Sequence, residues 1–555
     1  MRRRAIQTGS FALFLLLFFL AAYPLQRLVP VDLFFRFDPL IALTVLLASG
    51  TLAAGMLWSL VLVASALIAG RIFCGYICPL GSVIDLSDGL LRRYRASRTV
   101  NFYGRLASLR RLKFYLLVFV LVSALFGLIT IYVLDPLAII TRVLTYIFYP
   151  IVLIVVNVAL DLIRPIAEYF GWFRLARMSF VQHSYYMGAV TLLFFAGILA
   201  LGWIQSRFWC RNICPLGALL GVIGRFGLVQ RRVSEACIDC GKCQRACPTA
   251  AIPENPRETL TPECLQCHTC AQICPVEAIR FQKPSREHQP SKAAVVDLSR
   301  RGFLASFGLG VASSFLVGVH PSKQMLQGNL IRPPGTVPED LFLDRCIRCG
   351  ECMKACTTNT LQPSFLEAGL EGFWTPRLEM RYAPCEQQCN VCGHVCPTDA
   401  IRGLDLDERK HAKIGTAVLY RDRCLVWEQD KLCLICDEQC PYDAIEFRIV
   451  EGHRRPFVLE DRCNGCGVCE NKCPVQGEAA IVVTPIAELR LAEGSYIEAS
   501  ERLGYEFDEA REEVEQFFLE EEPDVSPAEA EPQKLPPGFA PDEESSDQLP
   551  PGFTP

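Results

Sequence analysis

Along the first 210 positions apolar residues come in long charge-free runs, at 5–26, 39–70, 114–134, 143–160 and 184–206. A helix that spans a bilayer needs about 20 mainly apolar residues, so the first three runs and the fifth predict transmembrane helices. The fourth is the shortest and contains Pro150 and Asn157, which predicts a re-entrant or interfacial segment. The first run follows Arg2-Arg3-Arg4 and is long for the apolar part of a signal peptide, so it is read as a retained helix. A sixth run, 302–319, stands alone behind Ser299-Arg300-Arg301. It is just long enough to cross.

Basic residues set the orientation of such helices. Between the second and third runs, residues 92–113 carry eight Lys or Arg and no acid. After the fifth run come Arg207, Arg211, Arg225, Arg231 and Arg232. Both places are predicted to be cytoplasmic, which needs an even number of crossings between them. Four crossings before residue 233 is the consistent count. With these clusters set beside apolar runs and a net charge of −4, nothing points to nucleic acid.

Past residue 236 the polarity changes and cysteine takes over. The chain has 28 cysteines. C-I-D-C-G-K-C-Q-R-A-C-P and C-L-Q-C-H-T-C-A-Q-I-C-P both fit C-x2-C-x2-C-x3-C-P, the ferredoxin run in which three cysteines hold one [4Fe–4S] cube and the fourth reaches a neighbouring cube. This places Cys237, Cys240, Cys243 and Cys274 on one cluster, and Cys264, Cys267, Cys270 and Cys247 on a second. The embedded C-x2-C-H at 264–268 would by itself read as a haem attachment, but the complete ferredoxin run outweighs it. Four further quartets follow: Cys346, Cys349, Cys352, Cys356; Cys385, Cys389, Cys392, Cys396; Cys424, Cys433, Cys436, Cys440; and Cys463, Cys466, Cys469, Cys473. A zinc or disulfide framework would not be built from such triplets. Six clusters account for every cysteine except Cys74, Cys78, Cys210 and Cys214.

Those four sit in two matching motifs, F-C-G-Y-I-C-P-L-G-S and W-C-R-N-I-C-P-L-G-A. Thiols four residues apart share one helix face. They are candidate redox thiols, or the ligands of a seventh cluster, and the spacing does not separate these readings. Six clusters correspond to about 24 iron atoms per chain and seven to about 28, so an iron assay on anaerobically purified protein does separate them.

Residues 1–290, with four spans, two C-x3-C-P motifs and a two-cluster ferredoxin, resemble the NapH/MauN-type membrane subunit of periplasmic nitrate reductase quinol dehydrogenases. Residues 299–485 resemble the NapG/MauM-type partner, which begins with a twin-arginine signal and carries four clusters; L-I-R-P-P-G ahead of C-I-R-C-G-E-C fits its opening. The chain looks like both subunits fused in order. On this resemblance Arg300-Arg301 is an internal twin-arginine-like address for a domain that crosses already folded, after its clusters form on thiols kept reduced inside. It also implies nested pairing in the second domain: Cys346, Cys349 and Cys352 with Cys473, Cys463, Cys466 and Cys469 with Cys356, Cys385, Cys389 and Cys392 with Cys440, and Cys424, Cys433 and Cys436 with Cys396.

The expectation is a multi-domain protein, an α-helical transmembrane bundle with α+β bacterial-ferredoxin-like [4Fe–4S] domains. Its parts are a membrane domain (1–232), a two-cluster ferredoxin (233–290), a twin-arginine-like segment and transmembrane helix (291–325), a four-cluster ferredoxin (326–495), and a helical then disordered acidic, proline-rich tail (496–555). It would sit in a bacterial inner membrane with the first ferredoxin cytoplasmic and the second periplasmic. It would oxidise quinol from the membrane pool and pass electrons to a periplasmic c-type cytochrome or reductase. The competing expectations are an accessory iron–sulfur protein for metalloenzyme maturation or respiratory regulation, and electron transfer from a cytoplasmic donor to quinone.

Overall fold

The computed structural model describes residues 2–22, 30–95, 107–283, 298–318 and 330–507. Much of the basic stretch 92–113, the link 284–297 and the tail from 508 onward lie outside these residues. The N-terminal part is a helical bundle: α1 (Arg2–Leu20), α2 (Pro39–Ser49), α3 (Ser59–Ala69), α4 (Pro79–Arg95), α5 (Leu112–Leu125), α6 (Pro136–Val143), α7 (Tyr149–Tyr169), α8 (Gly188–Ala200) and α9 (Pro215–Gly224). A further helix, α10 (Arg300–Gly318), packs along α5.

Four of the apolar runs fold otherwise than predicted, the fifth, 184–206, being helical only over Gly188–Trp203 and so shorter than a span. Run 39–70 is two helices, because Gly50 closes α2 in a left-handed conformation (φ 67°) that only glycine adopts cheaply. Run 114–134 stays α-helical only to Leu125 and then turns back. Run 143–160, predicted re-entrant on account of Pro150 and Asn157, lies within an unbroken 34-residue helix, Pro136–Tyr169. Pro150 follows closely on a π-helical turn, Leu144–Phe148, whose looser winding accommodates a proline inside the helix, and Asn157 uses its amide to hold the backbone of Phe180 on the returning chain.

Two elements share one design. Asp38 caps α2, its Oδ1 accepting from Leu40 and Ile41 N–H, with Pro39 at the first helical position. Asp135 caps α6 in the same way through Leu137 and Ala138, followed by Pro136. This is the strongest local start signal a helix can have. Each capped helix begins deep in the bundle and runs outward; each is followed by a helix running back (α3, α8) and then by a C-x3-C-P-L-G motif. The bundle is therefore an internal repeat, F-D-P-L…C-x3-C-P-L-G and L-D-P-L…C-x3-C-P-L-G.

The two cysteine-rich regions dock at opposite ends. At one end Glu263 of the first ferredoxin accepts from Lys113 (2.6 Å) and Arg71 (3.3 Å), all three side chains buried. Here also Arg3, at the start of α1, binds Asp85 and Gly75 O. At the other end Lys354 of the second ferredoxin donates to Phe18 O and Ala21 O at the end of α1. Arg142 of α6 gives its Nε–H to Arg348 O (3.1 Å), while Arg348 donates to Ile129 O (2.9 Å). The 19 residues of α1 rise about 28 Å between these docking points.

Each ferredoxin unit is closed by pairing the strand before its first quartet with the strand after its second. In the first, β1 (Gln230–Val233) pairs antiparallel with β2 (Ile279–Gln282). The second region holds β3 (Leu361–Pro363), β4 (Pro376–Leu378), β5 (Thr416–Leu419), β6 (Ile445–Val450), β7 (His453–Val458) and β8 (Ile481–Thr484). There the bridge Thr336–Ile401 closes one unit and β5–β8 closes another. The region is thus two consecutive two-quartet units. Arg332, from L-I-R-P-P-G, is buried beneath the first of them and held by Glu339, Thr375 and Pro376 O.

Replacing Glu263 with Ala leaves Lys113 and Arg71 buried without a counter-charge, a cost of about 3–5 kcal/mol. Proteolysis of residues 230–283 in detergent-solubilised protein should accelerate accordingly, while Glu254→Ala, at an exposed position, should leave it unchanged.

Candidate iron-sulfur cages

The C-x2-C loops share one backbone solution. The second intervening residue takes positive φ in each plain quartet, at Asp239, Gln266, Arg348 and Gly465, and so does the residue after the second cysteine, at Gly241, His268, Gly350 and Gly467. Two left-handed residues in four wrap the chain tightly enough to aim three sulfurs inward. All 28 cysteines are free thiols. Among the described residues no three His, Cys, Asp or Glu converge closely enough for a single metal ion.

The structure brings the sulfurs together as follows. Cys247, Cys264, Cys267 and Cys270 line one cavity of about 340 Å³, which leaves Cys274 in the small core beside Cys243, with Cys237 near it. Cys346, Cys349 and Cys352 face Cys396. Cys385, Cys389 and Cys392 face Cys356. Cys424, Cys433 and Cys436 line a cavity of about 380 Å³ with Cys473. Cys463, Cys466 and Cys469 line one of about 340 Å³ with Cys440. The pairing is sequential within each unit and not nested. The physical reason is the strand closure: Thr336–Ile401 and β5–β8 shut each unit on itself, so a fourth cysteine reaches only the other quartet of its own unit.

The four remaining thiols also converge. Cys74, Cys78, Cys210 and Cys214 line a buried cavity of about 310 Å³, together with Arg71, Pro136 and Trp209, close in size to the ferredoxin cavities. Each motif turns its second cysteine into a helix N-cap: Gly81 N–H donates to Cys78 Sγ (3.5 Å) and Gly217 N–H to Cys214 Sγ (3.3 Å). The same N–H···S bonds occur in the ferredoxins, from Ala251 to Cys247 (3.2 Å) and from Ala444 to Cys440 (3.3 Å). Glycine is required at 221, where a Cβ would stand 2.6 Å from the backbone oxygen of Pro262. The cage abuts the first ferredoxin, since a Cβ on Gly75 would lie 3.0 Å from Leu265 O and Tyr76 donates to Gln266 O.

Buried guanidiniums surround these sulfurs. Arg71 donates to Cys210 O (3.3 Å) and Arg207 to Cys74 O (3.0 Å), each motif's arginine reaching across to the other. Asp85 holds Arg207 through two bonds of 2.6 Å. Arg409 donates to Cys385 Sγ (3.2 Å), and Arg231 approaches Cys243 Sγ (3.7 Å). Burial pushes the Cys385 and Cys396 thiols up to about 11 and those of Cys264, Cys436 and Cys466 up to about 12. Such thiols keep their protons at neutral pH unless a metal displaces them. Quartets of buried thiols, flanked by cations and fed by N–H···S bonds, fit [4Fe–4S] clusters, which supply one-electron exchange.

The spacing alone pointed to the cysteines and missed their companions. The arginines carry a signal, R-I-F-C at 71–74 and R-F-W-C at 207–210, visible only once the motifs are aligned. The twin F-D-P-L and L-D-P-L carry another.

The fold and the cages define an iron–sulfur electron-transfer protein of several ferredoxin units. Models of a 4Fe-4S binding domain match residues 51–96, 187–234 and 341–362, and models of a 4Fe-4S dicluster domain match 230–275 and 431–476. The methylamine utilization ferredoxin-type protein MauM of Methylorubrum extorquens is 34 % identical over 205 residues, 36 % of this chain and 91 % of its own length. The ferredoxin-type protein NapG of Escherichia coli is 32 % identical over 212 residues, 36 % of this chain and 90 % of its own. The chain belongs to this MauM/NapG ferredoxin-type family and extends well beyond it. No solved structure matches.

Sequential pairing has a distinguishing genetic consequence. Cys356→Ala and Cys385→Ala should each abolish the same cluster's EPR signal, and the double variant should lose no more iron than either single one. Cys356→Ala with Cys463→Ala should lose about twice as much; nested pairing would reverse the two results.

Proposed function

We propose that the chain is a membrane-embedded conduit that takes electrons from quinol and delivers them to a soluble acceptor across the membrane. In this reading a NapH/MauN-type half (1–290) is joined to a NapG/MauM-type half (299–485). The observation that carries it is the order of the cages. From the first ferredoxin, Leu265 and Cys267 pack against the core that holds Cys74, Cys78, Cys210 and Cys214, the thiols lining one cavity. That cavity includes Pro136, and six residues further along α6, about 9 Å of rise, Arg142 meets the Cys346–Cys352 loop. Beyond it, Cys385 N–H donates to Cys466 O, linking the two units of the second ferredoxin. Contacts between neighbouring elements thus link the thiol cages in this order from one end of the bundle to the other.

The membrane reading rests on apolar helices. Among the described residues two, Arg3–Leu20 and Pro136–Tyr169, are long and apolar enough to cross, and shorter ones, Pro39–Ser49, Ala54–Ala69, Gly188–Trp203 and Pro215–Gly224, accompany them. The length of α1, about 28 Å, suits a hydrocarbon core of about 30 Å. Residues 107–113 and 207–232 share the end that carries the first ferredoxin, which the positive-inside rule makes cytoplasmic. Arg300-Arg301 starts α10 at this end, where Ser299 N–H donates to Tyr115 OH, and Ser314 meets Ser123 near the other. The second ferredoxin then faces the periplasm, within reach of a c-type cytochrome or a reductase.

Anaerobic mixing with a reduced quinol analogue should bleach the oxidised-cluster absorbance of the purified chain; response to a cytoplasmic ferredoxin or pyridine-nucleotide donor alone would defeat the reading. In spheroplasts, added protease should cleave the second ferredoxin of the wild type. Lysines in place of Arg300 and Arg301 should protect it if export depends on the twin arginines.

A further inference from the structure

The twin Asp-Pro caps bring two carboxyl groups face to face in the middle of the bundle. Asp38 and Asp135 are wholly excluded from solvent. One oxygen of each accepts its helix's N-terminal N–H groups, and the other oxygens, Asp38 Oδ2 and Asp135 Oδ1, have no donor. They are turned toward each other. Two bare carboxylates at that range in a dry interior repel strongly, and a single proton between them supplies the hydrogen bond both lack.

Among the described residues, no cation is seen to relieve the pair. The ionisable group that acts on Asp38 is Asp135. Among the groups on packed elements, Lys113 of α5 is bound to Glu263, and Asp85 and Asp88 of α4 are turned to Arg207. Arg142 and Arg348 are spent on Arg348 O, Tyr132 O and Ile129 O. Arg345 bonds Thr51 at the far end of α2, and Asp344 lies near Gly127. The residue after Asp135, Pro136, lines the Cys74–Cys214 cavity.

We propose that Asp38 and Asp135 form a shared-proton site that offsets each electron arriving in the Cys74–Cys78–Cys210–Cys214 cage. The proposal deepens the function above and rests on that cage being an iron–sulfur site. The step balances in charge. One electron from an external reductant enters the cage; a second proton, taken from bulk solvent, joins the one the pair already shares and forms an O–H bond on the other carboxyl. When the electron moves on, that second proton returns to solvent and the pair is left with its single shared proton. At an effective dielectric of about 20 and a separation of about 10 Å, one added charge changes proton affinity by about tenfold or somewhat more. The dyad is the natural counterweight because it is buried, adjacent and uncompensated.

Asn keeps the N-cap acceptor, so Asp38→Asn/Asp135→Asn should fold and remove only the proton site. EPR-monitored redox titration with dithionite at several pH values tests it on the whole chain. In the wild type the potential of the signal that Cys74→Ser abolishes should fall, in total, by about 59 mV as pH rises, a tenfold coupling converted for one electron. The double variant should show a pH-independent potential for that signal. A flat wild-type potential, or an unchanged slope in the variant, overturns the proposal. If iron stays at about 24 atoms and Cys74→Ser removes no signal, the cage reading fails by itself, and infrared spectroscopy decides the dyad. A protonated-carboxyl band present in the wild type and absent from the double variant upholds the shared proton; its absence from the wild type overturns it.

Discussion

Four thiolates closing on one iron–sulfur cube concentrate negative charge where water cannot screen it, and much of what is unusual in this chain answers that charge. Fully buried arginines are rare in ordinary proteins, yet Arg71, Arg142, Arg207, Arg211, Arg332, Arg348 and Arg409 are among its largest buried side chains. Several stand beside sulfur. Arg71 and Arg207 bracket the bundle's cage, and Arg409 and Arg231 reach sulfurs of the ferredoxins. Buried charges are tolerated when paired and hydrogen-bonded. Arg207, tied bidentately to Asp85 and to Cys74 O, meets both conditions.

The same need shapes the bundle. A cage built from two loops far apart in sequence requires two copies of one design facing each other. The internal repeat delivers this: an arginine three residues before each C-x3-C-P-L-G donates to the opposite motif, and each second cysteine caps the helix that follows. The half-length helices α2 and α6 belong to this design, because their N-termini must lie inside for Pro136 to touch the cage. Their aspartate caps are then forced into the interior, and the carboxyl pair at the centre follows from the symmetry that makes the cage. The two ferredoxins in turn attach where buried polar groups would otherwise go unpaired, Glu263 onto Lys113 and Arg71, and Arg348 onto the backbone of Ile129.

The cysteine spacing made the ferredoxin units legible because three ligands of each cube come from one short loop. A pattern of x2 gaps, with left-handed residues at Asp239, Gln266, Arg348 and Gly465, is local geometry and needs no tertiary information. The apolar runs were legible for the same reason, as composition, although Gly50 broke one of them and Pro150 failed to break another. A proline that breaks a helix and one seated beside a π-helical turn look alike in sequence, and here the helix that starts at Asp135 carries Pro150 just past the turn Leu144–Phe148.

What the sequence by itself determined is which residues form quartets, that six of these follow the ferredoxin pattern, and that apolar helices precede them, since each of these depends on neighbours within about a dozen positions. The tertiary structure alone decided the rest. It chose Cys396 over Cys473 as the companion of Cys346, through strand closures that join positions 65 to 68 residues apart, Thr336 to Ile401 and Thr416 to Thr484. It gathered Cys74, Cys78, Cys210 and Cys214 into one cavity, and it set Asp38 against Asp135. Contacts of that range are selected by the packing of whole helices and strands, where many weak terms compete, and no short stretch of sequence carries their outcome.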